Sequence, residues 1–344
     1  MIRIKDVAQR AGVSTATISR VMSGNAYVNP ELRERVLAVV REMNYSPNGI
    51  ARSMSRRKTH TLGLVVSDVT NPFFTSVARG VEDAGQASGY SVVLCNTDEN
   101  PDKERTYLSV LRENRVDGIL LAVSSSDVEH VDRLLHAGTK LVLIDRVAPG
   151  ISVPSVLVDN VGAMREAVEY LLDLGHRRIG IVTGNTAVTT ALERVQGYES
   201  ALDRAGIAHD PALIFSSDFT EPGGHDAGFR LSTMPDPPTA VICSNNQMTT
   251  GLLIALRERG VHIPEDISII GFDDLPYFSL LDHPLTAVAQ PMYEMGRRAC
   301  ELLLQMLSDE DETIPPETQI RLPTHLVVRD SCREPRQQES LHAC

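Results

Sequence analysis

The sequence predicts two kinds of structure in one chain, a small all-α unit at the amino terminus and a larger α/β body of two parallel-sheet lobes. Three observations predict it. The length of 344 residues exceeds what one hydrophobic core usually supports. Residues 4–44 carry their apolar side chains at helical spacing. From Thr61 onward, short and nearly continuous apolar runs alternate with helical stretches, as parallel strands covered on both faces require.

The amino-terminal unit is organised around residues 4–23, IKDVAQRAGVSTATISRVMS. Ile4, Val7, Ala8, Val13, Ile18 and Val21 fall where two short helices can share a core. Ala8 is small where the second helix must cross closely, and Gly12 sits at the turn, where a positive φ is cheap for glycine. Ser14 can cap the second helix by accepting a backbone N–H. The outward face of that helix carries Thr15, Ala16, Ser19 and Arg20. Short side chains plus one guanidinium suit a helix that enters the DNA major groove. Asn29-Pro30-Glu31 then reads as a cap, a proline at the first helical position and an acid in the first turn. A third helix runs to about Asn44, burying Leu32, Val36, Val39, Val40 and Met43, and Tyr45-Ser46-Pro47-Asn48 stops it.

Charge supports this reading. The chain carries a formal net charge of −12, yet residues 1–60 hold nine Arg and two Lys against Asp6, Glu31, Glu34 and Glu42, a local +7. The remaining residues therefore carry −19. A basic head on an acidic body concentrates phosphate attraction at one end.

These residues resemble the helix-turn-helix headpiece of the LacI family of bacterial transcription regulators. The resemblance implies double-stranded operator DNA as a partner, contacted by Ser14, Thr15, Ala16, Thr17, Ser19, Arg20, Asn25, Tyr45 and Asn48. Arg20 is expected to donate to a guanine or a phosphate, with Thr15 and Ala16 setting base preference. It also implies that residues 47–60, which include the basic stretch NGIARSMSRRK, form a hinge helix only when two copies meet on DNA. Ala51 matches the family's alanine, and Met54 stands where many members have leucine as the minor-groove wedge.

In the body, TLGLVVS, YSVVLCN, GILLAVS, KLVLIDR, SVLVDN, RIGIVTG, TAVICSN and ISIIGFD read as strands. Helices are expected near 74–89, 103–114, 127–137, 161–174, 191–205, 225–233, 248–259 and 292–307. The spacing suggests two similar halves, with the segment after 290 crossing back to complete the first and then the second. The resulting division is a headpiece over 1–46, a hinge over 47–60 and a body over 61–332. Lobe 1 takes about 61–159 and 290–320, lobe 2 about 160–289 and 321–332. A polar tail, 333–344, is expected to lack fixed structure. The body resembles the type I periplasmic-binding-protein fold of the same family.

Ligands in parallel α/β sheets bind beyond the carboxyl ends of the strands. Those ends carry Asn71, Phe73, Phe74, Asp145, Arg146, Arg194, Phe219, Asn245, Asp273 and Gln290. Aromatic faces with planar carboxylate, amide and guanidinium groups suit a sugar, whose C–H faces stack while its hydroxyls pair. All ten match in residue type the set with which the similar bacterial ribose-binding proteins hold a pyranose, which points to D-ribose or a close relative. Asn246 departs from the family pattern, in which Asp commonly follows this Asn. Family members also bind purines and phosphosugars in this cleft, so such a corepressor is the alternative effector.

Other classes fare less well. No general base, nucleophile and oxyanion donors occur together, so binding is expected rather than catalysis. MIRIKDVAQR lacks the apolar core of a signal peptide, which disfavours an exported solute-binding protein. No run of 18 apolar residues suggests a membrane span. Five scattered cysteines, Cys95, Cys243, Cys300, Cys332 and Cys344, fit a reducing cytoplasm. Histidines 176, 225, 262 and 283 show no metal-ligand spacing, so no metal or cofactor is expected. Asp282 and His283, acidic or neutral where a basic contact to a phosphoprotein would lie, disfavour a protein corepressor. The tail has no heptad run, so a homodimer is expected.

Overall fold

The computed structural model describes residues 2–23, 28–45, 58–308 and 314–336. They fall into two units, Met1–Thr59 and His60–Cys344. The first unit contains three helices, α1 (Ile4–Ala11), α2 (Thr15–Ser23) and α3 (Pro30–Glu42). Gly12 ends α1 with φ of 67°, as the turn requires. The Ser14 hydroxyl accepts the N–H of Thr17 at 3.1 Å, and the Asn29 carboxamide accepts that of Glu31 at 2.9 Å. Val7, Ala8, Ala11, Ile18, Val21, Val36 and Val40 close the core. Helix α3 stops two residues short of the expected Asn44, because Asn44 itself takes φ of 47°, a conformation asparagine tolerates. Asn25, Asn48, Ala51, Met54 and residues 47–57 of the expected hinge lie outside the described residues.

The second unit holds two six-stranded sheets. Its elements in chain order are β1 (Thr61–Val66), α4 (Pro72–Ala87), β2 (Ser91–Asn96), α5 (Pro101–Glu113), β3 (Gly118–Leu121), α6 (Glu129–His136), β4 (Lys140–Ile144) and β5 (Ser155–Val158). Then follow α7 (Asn160–Asp173), β6 (Ile179–Thr183), α8 (Thr189–Arg204), β7 (Ile214–Ser216), α9 (Glu221–Ser232), β8 (Ala240–Cys243) and α10 (Asn246–Glu258). The chain ends with β9 (Ser268–Phe272), β10 (Thr286–Ala289), α11 (Met292–Leu307), β11 (Gln319–Leu322) and β12 (His325–Val327). Lobe 1 has the order β11-β5-β4-β3-β1-β2, all parallel. Lobe 2 has the order β12-β10-β9-β8-β6-β7, with only β12 antiparallel. Strands buried on both faces explain the unbroken apolar runs of β1, β3 to β6, β8 and β9, whereas β2, at the sheet edge, is apolar yet exposes Val93 and Leu94. The chain passes between lobes after β5, after β10 and after β11.

Several helices start earlier than their apolar periodicity predicts. Asn71 and Asn100 cap α4 and α5 with a proline immediately after each, and Thr220 caps α9 through the N–H of Gly223 at 3.1 Å. A cap and a proline nucleate the first turn before the apolar stripe begins. Strands β7, β10, β11 and β12 are additional to the eight expected runs; each is three or four residues long and takes its place from the strand it pairs with. The expectation of an unstructured tail fails for its first four residues. The Arg333 carbonyl faces His176 Nε2 at 2.9 Å, its N–H donates to Ser268 Oγ at 3.1 Å, and Arg336 pairs with Asp266 at 3.1 Å. No helix among the described residues is long and apolar enough to cross a membrane.

Candidate ligand cleft and exposed helix

In the first unit, α2 buries Ile18 and Val21 and exposes Thr15, Ala16, Ser19 and Arg20. Ser14 and Thr17 sit at its start, where their hydroxyls meet at 2.9 Å and Ser14 serves as the cap. Thr17 is half-buried, and Tyr45 packs partly against the three-helix core. The presented surface is thus one turn and a half of small polar side chains with a guanidinium at the end.

In the second unit, all ten strand-end residues line one cavity between the lobes, joined by Thr190. Asn71 caps α4 by accepting the N–H of Phe73 at 2.9 Å, which places Phe73 and Phe74 in the helix's first turn. Their rings meet edge to face at 4.9 Å. Asp145 and Arg146 leave the end of β4. Arg146 donates to both carboxylate oxygens of Glu99 at 2.7 Å, to Asp145 at 3.1 Å and to the Val123 carbonyl at 3.3 Å. Its guanidinium carbon lies 5.5 Å from the ring centre of Phe219, on the loop after β7.

Arg194, on α8, donates to Asn160 at 2.9 Å and to the Ser244 carbonyl, and stacks 3.8 Å over Phe272. Asn245 caps α10 through the N–H of Met248 at 2.9 Å and donates to the Phe219 carbonyl at 2.9 Å. Asp273 follows β9 and Gln290 follows β10; the register that pairs Phe272 with Val288 brings them together, and Gln290 donates to Asp273. The Gln290 side-chain oxygen is buried with no hydrogen-bond partner.

Two buried carboxylates and two buried guanidiniums therefore face one space. Burial pushes the Asp145 carboxyl up, against the pull of Arg146 and Arg194. Burial likewise raises Asp273, against Arg194 and its hydrogen bonds. Burial opposes the charge of Arg146, yet Glu99 and Asp145 outweigh it and hold its pKa above the ordinary arginine value. Acceptor-only carboxylates, amides and rigid guanidinium forks provide directional partners for hydroxyl groups, with phenyl rings as apolar walls.

The cavity itself is about 30 Å³, because the polar groups bond one another across it. It opens on a mouth of about 520 Å³ lined also by Asp68, Asp98, Glu99 and Asp218. Glu99, Asn160 and Thr190 are neighbours of the cleft that the strand-end reading leaves out, whereas Asn246, singled out in the sequence, bonds Asn71 and Asp273. Glu99 and Asn160 follow strands β2 and β5, where the same rule finds them. His176 is structural: it meets Thr239 at 2.8 Å and the Arg333 carbonyl at 2.9 Å.

Comparison with known proteins bears on both parts. Residues 3–48 match the family model for bacterial regulatory proteins of the lacI family, and residues 168–332 match that for a periplasmic-binding-protein-like domain. The chain is 33% identical over 333 residues to the HTH-type transcriptional repressor PurR of Haemophilus influenzae, covering 97% of this chain and 99% of that one. It is 37% identical over 331 residues to the ribose operon repressor of the same species, covering 96% and 98%. Among solved structures, the lac repressor dimer bound to operator and the anti-inducer ONPF matches with a TM-score of 0.85 at 26% identity, over 96% of this chain and 98% of that one.

Proposed function

The chain belongs to the lacI family of bacterial regulatory proteins, and from that premise we propose that it is a homodimeric repressor released from a near-palindromic operator by D-ribose or a close relative. That it is a transcriptional repressor rather than an enzyme follows its relatives, which are transcriptional regulators. Two headpieces would read the two half-sites through the exposed face of α2.

One observation carries the effector assignment: ten side chains from separate strand ends converge on one cavity with the donor, acceptor and stacking groups a pyranose needs. The similarity to a ribose operon repressor supports the same choice. The similarity to PurR favours a purine corepressor as the second reading. A phosphosugar is disfavoured because Asp68 and Asp218 line the mouth without an ion-pair partner among the described residues, while Arg146 is held by Glu99 and Lys103 by Asp98.

Dimerisation is supported by exposed apolar side chains on each lobe. Val93 and Leu94 lie on the edge strand β2, and Tyr277, Leu280 and Leu281 lie on lobe 2, with Leu280 81% exposed. Sedimentation of the full chain tests this, and a monomer at micromolar concentration overturns it. Calorimetric titration with D-ribose, with D-glucose as control, tests the effector. Saturable ribose binding without a glucose signal is expected. Absence of ribose heat, with operator binding intact, overturns the ribose assignment and makes purines the next titrant.

A further inference from the structure

Asn246 is the first residue of α10, and it is 1% exposed at the seam between the lobes. Its amide orientation is fixed by its neighbours. The Asp273 carboxylate can only accept, so the nitrogen of Asn246 faces it, donating to Oδ2 at 3.0 Å. The same nitrogen donates to Asn71 Oδ1 at 2.8 Å in lobe 1. Asn71 Oδ1 also accepts the Phe73 N–H, which fixes that second amide. Both hydrogens on Asn246 Nδ2 are therefore committed, one to each lobe. The Asn246 backbone N–H adds a contact to Asp273 Oδ2 at 3.3 Å. Beside it, Gln247 reaches Asp68 in lobe 1 at 3.3 Å. Elsewhere along the seam, Thr189 meets the backbone of Val147 at 3.2 Å.

We propose that Asn246 is a cross-lobe latch: a positioning residue that aims the Asp273 carboxylate and ties lobe closure to that carboxylate's occupancy. The proposal rests on reading Asp273 as an effector ligand. Of the roughly four lone-pair sites on a carboxylate, Asn246 and Gln290 occupy three. Asp273 then has one acceptor site for a ligand hydroxyl, and the unpartnered Gln290 oxygen offers a second. The latch thereby selects a ligand that presents two neighbouring donors at this corner.

A carboxylate at position 246 could not do this. It would face Asp273 Oδ2 and Asn71 Oδ1, acceptors meeting an acceptor, and one proton would have to be shared between the two acids. The other charges facing this corner are Arg194 from α8 and Asp145 from the end of β4. Arg146, beside Asp145, is held by Glu99.

Asn246→Asp and Asn246→Ala test the latch in the full chain, with thermal melts confirming that each folds. At about pH 8, Asn246→Asp is expected to weaken D-ribose about tenfold or more. Its deficit relative to the unaltered protein should shrink as the pH falls towards about 5, where a shared proton restores a donor. Asn246→Ala should weaken ribose with a deficit that does not change with pH. Without sugar, amide hydrogen exchange over residues 68–73 and 245–248 should accelerate in both variants. Unchanged exchange, or a pH-independent deficit in Asn246→Asp, overturns the latch while leaving ribose binding to stand. If the unaltered protein ignores ribose but exchange accelerates in both variants, the ribose assignment falls and the latch is supported.

Discussion

Asp145, Phe219 and Asp273 adopt φ of 67°, 67° and 72°, a region that side chains other than glycine seldom enter. All three line the cleft. Strain held at three cleft-lining residues fits a site shaped for recognition at the expense of local comfort. Asp273→Ala should abolish the sugar response in a calorimetric titration while operator affinity in an anisotropy titration stays within a factor of about two, because only the cleft loses its acceptor. Persistence of the response would place the effector elsewhere. The raised carboxyl pKa values give a pH signature as well. Sugar hydroxyls require ionised acceptors, so affinity should fall on acidification, beginning above the ordinary carboxylate value of about 3.9. The sign for folding is opposite. A carboxyl whose folded pKa is raised takes up protons on folding, so its contribution to stability declines as pH rises through the window between its unfolded and folded values. Arg20 is exposed at the end of the α2 surface proposed to read the operator. Arg20→Ala should lose about 1–3 kcal/mol of operator affinity. If Arg20 meets a phosphate, the salt slope of binding should also flatten by about one unit; if it reads a guanine, discrimination at one base pair should relax and the slope hold. Unchanged operator affinity removes Arg20 from the interface.

At the scale of elements, paired glycines set how closely the helices behind each cleft wall pack. A Cβ on Gly80 of α4 would lie 2.1 Å from the Tyr293 carbonyl oxygen of α11, and one on Gly296 of α11 would lie 2.0 Å from that of Val77. Lobe 2 repeats the device between α9 and α10, where Gly224 meets the Met248 carbonyl at 2.2 Å and Gly251 meets that of Glu221 at 1.9 Å. Helix α4 delivers Asn71, Phe73 and Phe74, and α10 delivers Asn245 and Asn246, so each crossing sets the depth of a cleft wall. Gly251→Ala gains helix propensity of about 1 kcal/mol but forces backbone against backbone. A net loss of about 1–3 kcal/mol in denaturant unfolding is therefore expected, and a stabilised variant would show that the helices can slide apart freely. Most cleft residues are legible in sequence because they follow an apolar run, and the end of a parallel strand is where ligands sit; Arg194, within α8, and Phe219, after the unmarked β7, come forward only with the resemblance to ribose-binding proteins. Glu99 and Asn160 obey the same rule but escape notice. An acid within Thr97-Asp98-Glu99-Asn100 resembles any polar turn, and only the fold shows it gripping Arg146 from 47 positions away. The glycine crossings carry no signal either, since a helical glycine in the sequence does not name its partner. Strands β7, β10, β11 and β12 are decided by the neighbour they pair with, which short local patterns cannot encode.

At the scale of the whole molecule, charge and ligand binding are partitioned between two units joined by one chain. Residues 1–60 carry +7 and the remainder −19, so phosphate attraction belongs to the headpiece while the body repels nucleic acid. Operator affinity should accordingly fall steeply with salt, by about 0.9 log unit per log unit of salt for each phosphate neutralised. Ribose affinity, built from buried groups, should barely respond. The two activities communicate only if sugar and operator favour different conformations of the same dimer, and linkage then constrains the numbers. Whatever factor by which saturating D-ribose weakens operator binding, saturating operator must weaken ribose binding by the same factor. Operator titrations with and without ribose, and ribose titrations with and without operator, measure the two factors independently in one buffer. Equal factors of about 5–150 would establish the cleft as the regulatory site of the repressor. Measurable binding of both ligands with factors of one would mean that ribose occupies the cleft without controlling DNA, and the physiological effector would have to be a ligand that distinguishes the two conformations.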